Sequence, residues 1–507
     1  MNKSLPQMLT CERFNITDYF DAVCDYSMPQ YYPEVRKIVS ATASVLPDTK
    51  FLSGNSLEFG GNVSFNVLYI GEDSSLTSLV CTTDYSEKVT LPKEIRAVDE
   101  TNINVSVSDC TIRVTAPRKI SLKAKITAEV TSDTELPVSY TVTAGEKAAD
   151  MSVRATVKTL QRKIPSMSRA SATQSCSATG DFSVSPGTKV LSCPAVVNIR
   201  ETVKKNSAVT VHGDICVKCL CFTDRGVYSP YKFKIPFEEA VHIDKLGEGD
   251  VICALGRVAA LSVSEEGEAS GNYKAEAEFD ITCKCLKKYE TNIIEDAYST
   301  AWDITEQRCD TLPLSPVAHL NSSLSVNGVG KRKTRPEKNE YLIDIDLYPR
   351  FNKAEVIDGK AIFTGSTSAK AYIACDGDVI CEEFSLPLRY ECPAMTCGEG
   401  DIIYSAFCNA TDSSARLEGD TIAVNGELSM CLEAYRKSAL SAVTQLDVDC
   451  TSQKKNDTPC IKVIYPEESE SVWNIAKKRR ADIDSIERVN SVNRCDVTAE
   501  PVIIPIK

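Results

Sequence analysis

Three glycines, Gly61, Gly213 and Gly365, stand 152 residues apart, and the same features follow each in the same order. Gly61 opens Asn62-Val-Ser-Phe-Asn-Val-Leu-Tyr-Ile70, Gly213 opens Asp214-Ile-Cys-Val-Lys-Cys-Leu-Cys-Phe222, and Gly365 opens Ser366-Thr-Ser-Ala-Lys-Ala-Tyr-Ile373. Such alternation is the mark of a strand with one buried face. Each run enters a polar turn (Gly71-Glu-Asp73, Thr223-Asp-Arg-Gly226, Cys375-Asp-Gly377) and then a second run ending at Leu91-Pro92, Ile235-Pro236 or Leu386-Pro387. Asp and Gly suit such turns because they tolerate the positive φ of tight hairpins. Further on, Gly247-Glu-Gly-Asp250 and Gly398-Glu-Gly-Asp401 match at an offset of 151, and alternating runs at 120–130, 275–285 and 422–432 close the units. The first copy has the weaker Asp99-Glu-Thr-Asn-Ile103 at that turn.

A chain of 507 residues is too long for one core. The repeats predict a mainly β protein: three tandem β domains, sandwich- or barrel-like, at residues 28–160, 175–303 and 339–440, with a small unit at 460–507. Residues 1–30 read as an extended lead-in, and Glu34 to Leu46 fits helix or strand. Residues 161–180 and 312–339, rich in Ser, Thr, Ala and basic residues without periodicity, read as linkers, and Ile293 to Thr300 reads as a polar-flanked exit from the second domain. In the last unit, Ile461–Ile464 is a strand and Ser471–Lys478 a helix with Val472, Ile475 and Ala476 on one face. Asp482 caps a second helix bearing Ile483, Ile486 and Val489, and Pro501–Ile506 closes as a strand.

The net charge of −13 gives no reason to expect nucleic acid as a partner. No stretch approaches the 18 or so apolar residues of a membrane span, and Met1 to Thr10 lacks the apolar run of an export signal. The 22 cysteines then read as free thiols acting as small hydrophobes, as in a chain that stays in the cytosol. Cys216, Cys219 and Cys221 have a metal-like spacing, yet on a strand Cys216 faces away from the other two. A site made across two strands, from Cys219 and Cys221 with Cys283 and Cys285, is the other reading. Gly-Glu-Gly-Asp reads as a turn sooner than a calcium loop, and Gly328-Val-Gly-Lys331 is no phosphate loop. His212, His242 and His319 lie apart from any Cys or carboxylate pattern, with His319 placed in a linker. Neither a catalytic residue, a metal site nor a cofactor motif is read from the sequence. The run Lys477-Lys-Arg-Arg480 ends the first tail helix, where cations complement the dipole; a charged partner surface and simple solvation both remain open.

Val463-Ile-Tyr465, Ser471-Val-Trp-Asn-Ile-Ala-Lys-Lys478, Ile483, Ile486, Asn490 and Val502-Ile-Ile-Pro505 together resemble a LysM domain, a small βααβ unit whose members bind N-acetylglucosamine-containing glycans. Ser469-Glu470 stands where that family has Gly-Asp, and Arg479-Arg480 where it has Tyr-Gly. A carboxylate cluster there argues for protein rather than sugar. The repeats resemble the SPOCS domain, on Gly61 to Tyr69, Ile235-Pro-Phe237, the Gly-Glu-Gly-Asp turns and Asp296-Ala-Tyr-Ser-Thr300. The whole layout is similar to the SipL-like family of spore coat morphogenetic proteins, with SpoVID-type proteins more distant. The resemblance implies a non-enzymatic adaptor in the mother-cell cytoplasm, at the forespore surface or coat, that recruits a SpoIVA-type coat morphogenetic ATPase through its LysM unit. Other coat proteins, or a second copy, are further partners. The alternative is a wall protein binding peptidoglycan. On the adaptor reading Ile464, Glu467, Glu470, Lys477, Lys478 and Arg479 are the expected contacts, with Trp473, Ile475, Ile486 and Asn490 supporting the core.

Overall fold

The computed structural model describes the chain outside residues 1–7, 92–100, 138–140, 145–150, 206, 224, 244–245, 268–269, 312, 376–377, 397, 399, 452–460, 467–469 and 506–507. It is mainly β, in small sheets, with two short helices near the C-terminus. The first unit comprises β1 (Met8–Ser27), β2 (Val35–Ser53), β3 (Ser56–Gly71), β4 (Leu76–Thr90), β5 (Thr101–Ala116) and β6 (Lys119–Pro137). Its strands form the antiparallel sheets β1-β6-β5 and β2-β3-β4. Between the sheets lie Phe59, Phe65 and Tyr69 of β3 with Leu122 and Ile126 of β6.

The same topology recurs twice. After β7 (Thr141–Ala144) and the single turn α1 (Met151–Thr156), the second unit uses β8 (Val157–Ser183), β10 (Ala195–Lys205), β11 (Ala208–Phe222), β12 (Tyr228–His242), β13 (Val251–Glu265) and β14 (Asn272–Ser299). They pair as β8-β14-β13 and β10-β11-β12, with short β9 (Lys189–Ser192) beside β11. The third uses β16 (Leu314–Lys331), β17 (Tyr341–Ile357), β18 (Lys360–Cys375), β19 (Asp378–Pro393), β20 (Asp401–Glu418) and β21 (Thr421–Lys437), as β16-β21-β20 and β17-β18-β19.

The repeated glycine owes its place to a β-bulge on the neighbouring strand. Gly61 pairs with Pro47 and Gly60 with Thr49, so Asp48 is the extra residue; Arg200 and Asn352 are the extra residues opposite Gly213 and Gly365. The bulge drives a carbonyl against the central strand. A Cβ on Gly61 or Gly365 would lie 2.0 Å from the oxygen of Leu46 or Arg350, and one on Gly213 2.4 Å from that of Asn198. Gly365→Ala is therefore expected to cost about 1–3 kcal/mol, the range for overpacking. Gly249→Ala, at a position where a Cβ meets nothing within 4 Å, should cost far less. Urea unfolding of the two variants side by side checks the difference.

Each unit begins earlier than the hydrophobic pattern indicates. β1 occupies the expected lead-in, β8 covers all of the expected linker at 161–180, and β16 covers much of the one at 312–339. All three are edge strands, held by ladder bonds to the closing strand on one side. Backbone groups make those bonds whatever the side chains, so Ser- and Thr-rich stretches can serve, with small residues such as Ala172, Cys176 and Ala178 of β8 turned to the core. Glu34 to Leu46 falls mostly in β2, a strand, in line with its β-branched content.

The units also touch. Ile70 and Leu76 of the first, Leu220 of the second, and Ile343, Tyr372 and Val379 of the third share one apolar cluster. Leu76 N donates to Tyr228 Oη at 2.8 Å, and Tyr228 N donates to Tyr341 Oη at 3.2 Å. A further sheet joins β15 (Asp303–Thr311), β22 (Leu440–Asp449) and β7. Its Leu440, Ala442, Val443 and Leu446 pack on Ile164 of β8 and on Ile293, Ile294 and Ala297 of β14. Residues 293–300, expected to leave the domain, are thus mostly a continuation of β14 that carries the next layer.

Candidate functional site

The C-terminal unit is β23 (Lys462–Ile464), α2 (Val472–Arg479), α3 (Ile483–Asn490) and β24 (Val502–Ile504), with β23 antiparallel to β24. Ser471 caps α2 by accepting from Asn474 N at 3.2 Å. Val472, Trp473, Ile475, Ala476, Ile483 and Ile486 fill a core with Val502 and Ile504. Asn490 ties α3 to β24: its amide donates to the carbonyls of Ile486 (2.9 Å) and Ile503 (2.7 Å), and its oxygen accepts from Ile503 N (2.7 Å). The second helix carries its expected residues, with two differences of detail. Val489 is exposed, because two steps of three residues rotate it off the buried stripe. Asp482 holds the cap position of α3, but its carboxylate takes the Ser485 hydroxyl and Lys158 instead of a backbone N–H.

The core of this unit is completed by the second sandwich. Tyr298, at the end of β14, meets Trp473 edge-on with ring centroids 5.0 Å apart, and its hydroxyl donates to Ala481 O at 2.6 Å. Asp296, two residues before it on β14, accepts from Trp473 Nε1 at 2.8 Å and from Lys477 Nζ at 2.5 Å. Arg480 pairs with Asp303 and donates to Trp302 O, and Lys158 of β8 bridges Asp482 and Asp484 at 2.6 and 2.7 Å. Burial pushes the Asp296 carboxyl up, but Lys477 and the indole N–H pull harder and hold it below the usual range. Asp296-Ala-Tyr-Ser-Thr300 is thus a platform for the tail: Asp296 and Tyr298 face it, while Ser299 accepts from Ala301 N and Trp302 N and fixes the turn beyond.

The expected contact residues divide between the two sides of the unit. Lys477 is turned inward onto Asp296 and Glu306, as is Arg480, outside the expected set, onto Asp303. Ile464 packs against the unit's own core, and Glu470 pairs with Lys478 at 2.5 Å. Lys478 and Arg479 are exposed. Glu467 lies outside the described residues. The outward face carries a signal that the sequence reading passed over: Val463 on β23 and Ile461 and Tyr465, which flank that strand, are 50%, 72% and 77% exposed.

A second constellation sits where the second and third sandwiches meet. Cys253 (β13) and Lys284 (β14) face His319 (β16), Cys431 and Glu433 (β21). His319, 1% exposed, places Nδ1 3.9 Å from Cys253 Sγ and 3.5 Å from Glu433 Oε1, and its Nε2 lies 3.0 Å from Lys284 O. The two sulfurs are 3.3 Å apart. Lys284 Nζ binds the other Glu433 oxygen, and the Tyr435 hydroxyl donates to Oε1 at 2.9 Å. Burial alone would raise the Glu433 carboxyl; Lys284 and His319 outweigh it and hold the group well below the usual carboxylate range. Burial likewise lowers Lys284, and Glu433 more than restores it, so its pKa ends raised.

Comparison with protein-family models, curated proteins and solved structures finds no match.

The placement of His319 in a linker apart from Cys and carboxylate is therefore corrected: it lies on a strand beside both. Its partners come from other strands, Cys253 from 66 residues away, so no local spacing announces them. The cysteines singled out from the sequence are elsewhere. Cys219, Cys221, Cys283 and Cys285 line the interior of the second sandwich, and Cys216 is buried outside that core. In the Gly247–Asp250 turn, Asp250 Oδ2 accepts from Gly247 N at 2.7 Å. The Lys204 ammonium reaches the carbonyls of Gly247, Glu248 and Asp250 at 3.3, 2.6 and 2.7 Å, so a cation of the chain's own satisfies that turn.

Proposed function

We propose that the chain is a non-enzymatic spore-envelope scaffold, with three SPOCS-like sandwiches forming the body and a LysM unit tethering a coat-basement ATPase of the SpoIVA type at the forespore surface. The observation that carries this reading is the division of the C-terminal unit into two faces. One face is held to the body by Trp473, Lys477 and Arg480. The other exposes Val463, with Ile461 and Tyr465 on either side, at a strand paired, among the described residues, only with β24. Exposed apolar side chains beside an open strand edge suit a protein partner, which adds backbone hydrogen bonds to apolar contact. Exposed Lys478 and Arg479 on the same unit would steer an acidic partner.

Calorimetric titration of the full chain with the purified ATPase, and in parallel with an N-acetylglucosamine oligomer, tests the proposal. Binding to the ATPase that falls at least about tenfold in Val463→Glu and Tyr465→Glu, with circular dichroism unchanged, is the expected result; a tenfold loss corresponds to about 1.4 kcal/mol. Sugar binding without ATPase binding would replace the reading with wall anchoring, and silence with both ligands would overturn it.

A further inference from the structure

We propose that Cys253, Cys431, His319 and Glu433 form a tetrahedral zinc site that clamps the second sandwich to the third. The proposal stands apart from the adaptor reading, since it concerns the body of the chain.

The four donors are of the kinds zinc prefers, two sulfurs, an imidazole and a carboxylate. One ligand atom each from Cys253, His319 and Glu433 lies within 4.8 Å of the other two, and Cys431 Sγ is in contact with Cys253 Sγ. Zinc bonds of about 2.3 Å to sulfur and about 2.0–2.2 Å to nitrogen and oxygen give tetrahedral edges of roughly 3.8 Å for S–S, 3.6 Å for S–N and 3.4 Å for N–O. The corresponding separations are 3.3, 3.9 and 3.5 Å, close to those edges. Cys253, His319 and Glu433 are already grouped, and Cys431, which touches Cys253, turns its Sγ toward the imidazole and the carboxylate to become the fourth ligand.

The surroundings are those of a metal-bound imidazole. His319 Nε2 faces the Lys284 carbonyl, which can only accept, so in the neutral ring Nε2 carries the proton and the Nδ1 lone pair points at Cys253 and Glu433. An outer carbonyl fixing the ring in this way is the common support of a zinc histidine. Charge also balances. Lys284 already neutralises Glu433. Zinc displaces the two thiol protons to solvent, and the two thiolates formed neutralise the ion. Ligands come from β13 of one sandwich and from β16 and β21 of the other, so a bound ion would join the two.

The test uses the full chain, reduced, stripped with a chelator and titrated with cobalt(II). The expected result is saturation at one equivalent, with the visible bands of tetrahedral cobalt and a near-ultraviolet thiolate charge-transfer band that zinc abolishes. Cys253→Ser/Cys431→Ser should lose the charge-transfer band, His319→Ala should weaken binding at least about tenfold, and Cys495→Ser, at an exposed thiol, should change nothing. A folded wild-type chain with no tetrahedral spectrum at one equivalent would overturn the proposal, whatever the variants do. So would a spectrum that survives the double serine variant.

Discussion

Lys284→Met is expected to destabilise the chain by about 3–5 kcal/mol, the range for removing one partner of a buried ion pair. The lysine and Glu433 are largely shielded from water, with side chains 17% and 7% exposed. Losing the ammonium leaves the buried carboxylate without its counter-charge, beside the Tyr435 hydroxyl and His319. Lys284→Met/Glu433→Leu should recover most of the loss, because apolar replacement of a whole buried pair is often neutral. The pH dependence has a definite sign. The folded pKa of Glu433 lies below its unfolded value of about 4.3. Its contribution is therefore fully present above that pH and is lost as pH falls through the folded pKa. Chemical denaturation of wild type and double variant between neutral pH and pH 3 or so checks both points. The wild type should lose the greater stability on acidification; equal losses would remove Glu433 from the account.

Trp473→Ala should be as damaging to the C-terminal unit as Lys284→Met is to the body, at about 3–5 kcal/mol for a buried aromatic. The indole is 2% exposed, packs on Tyr298 and donates to Asp296, so truncation empties the small core and removes the dock together. A unit this small has little stability to spare. Hydrogen exchange of α2 and α3 in the variant should approach that of an unfolded chain. Asp296→Asn separates the two roles: it removes the charge that holds Lys477 while leaving the core intact, at about 1–3 kcal/mol. Exchange should then rise at the docked face more than within the helices. Because the Asp296 carboxyl is held low, the dock in the wild type is complete above the unfolded pKa of about 3.9 and loosens as pH falls below it. Equal protection in wild type and Asp296→Asn would show that Tyr298 and Arg480 suffice.

Much of the β architecture was legible because the strands that carry the repeat have one face in a core. Alternation through Asn62–Ile70 follows from the pleat, and the positions that alternate are those buried in β3; in β11 Ile215, Val217, Cys219 and Cys221 line the core in the same way, although most of the opposite face is covered too. The strand, two helices and strand of the tail were legible for the same reason: Val472, Ile475, Ala476, Ile483 and Ile486 recur at helical spacing and are buried. The edge strands β1, β8 and β16 were not; in β8 the positions that reach the core include Ala172, Cys176 and Ala178, side chains too small to mark a buried face among Ser and Thr. Nor was the meaning of Gly61, Gly213 and Gly365, which depends on a bulge in the strand alongside each.

By itself, then, the sequence determined local periodicity: how often the unit repeats, which runs are strands, where chains turn, and that the tail is of another kind. Tertiary structure alone decided that Asp296 and Tyr298 receive Trp473, that Lys477 and Arg480 face inward while Ile461, Val463 and Tyr465 face out, and that His319 meets Cys253 and Glu433. Backbone periodicity is a property of neighbours along the chain, whereas those contacts join residues far apart in sequence: His319 and Glu433 meet by strand pairing, and Cys253 reaches His319, as Asp296 reaches Trp473, only when separate elements pack.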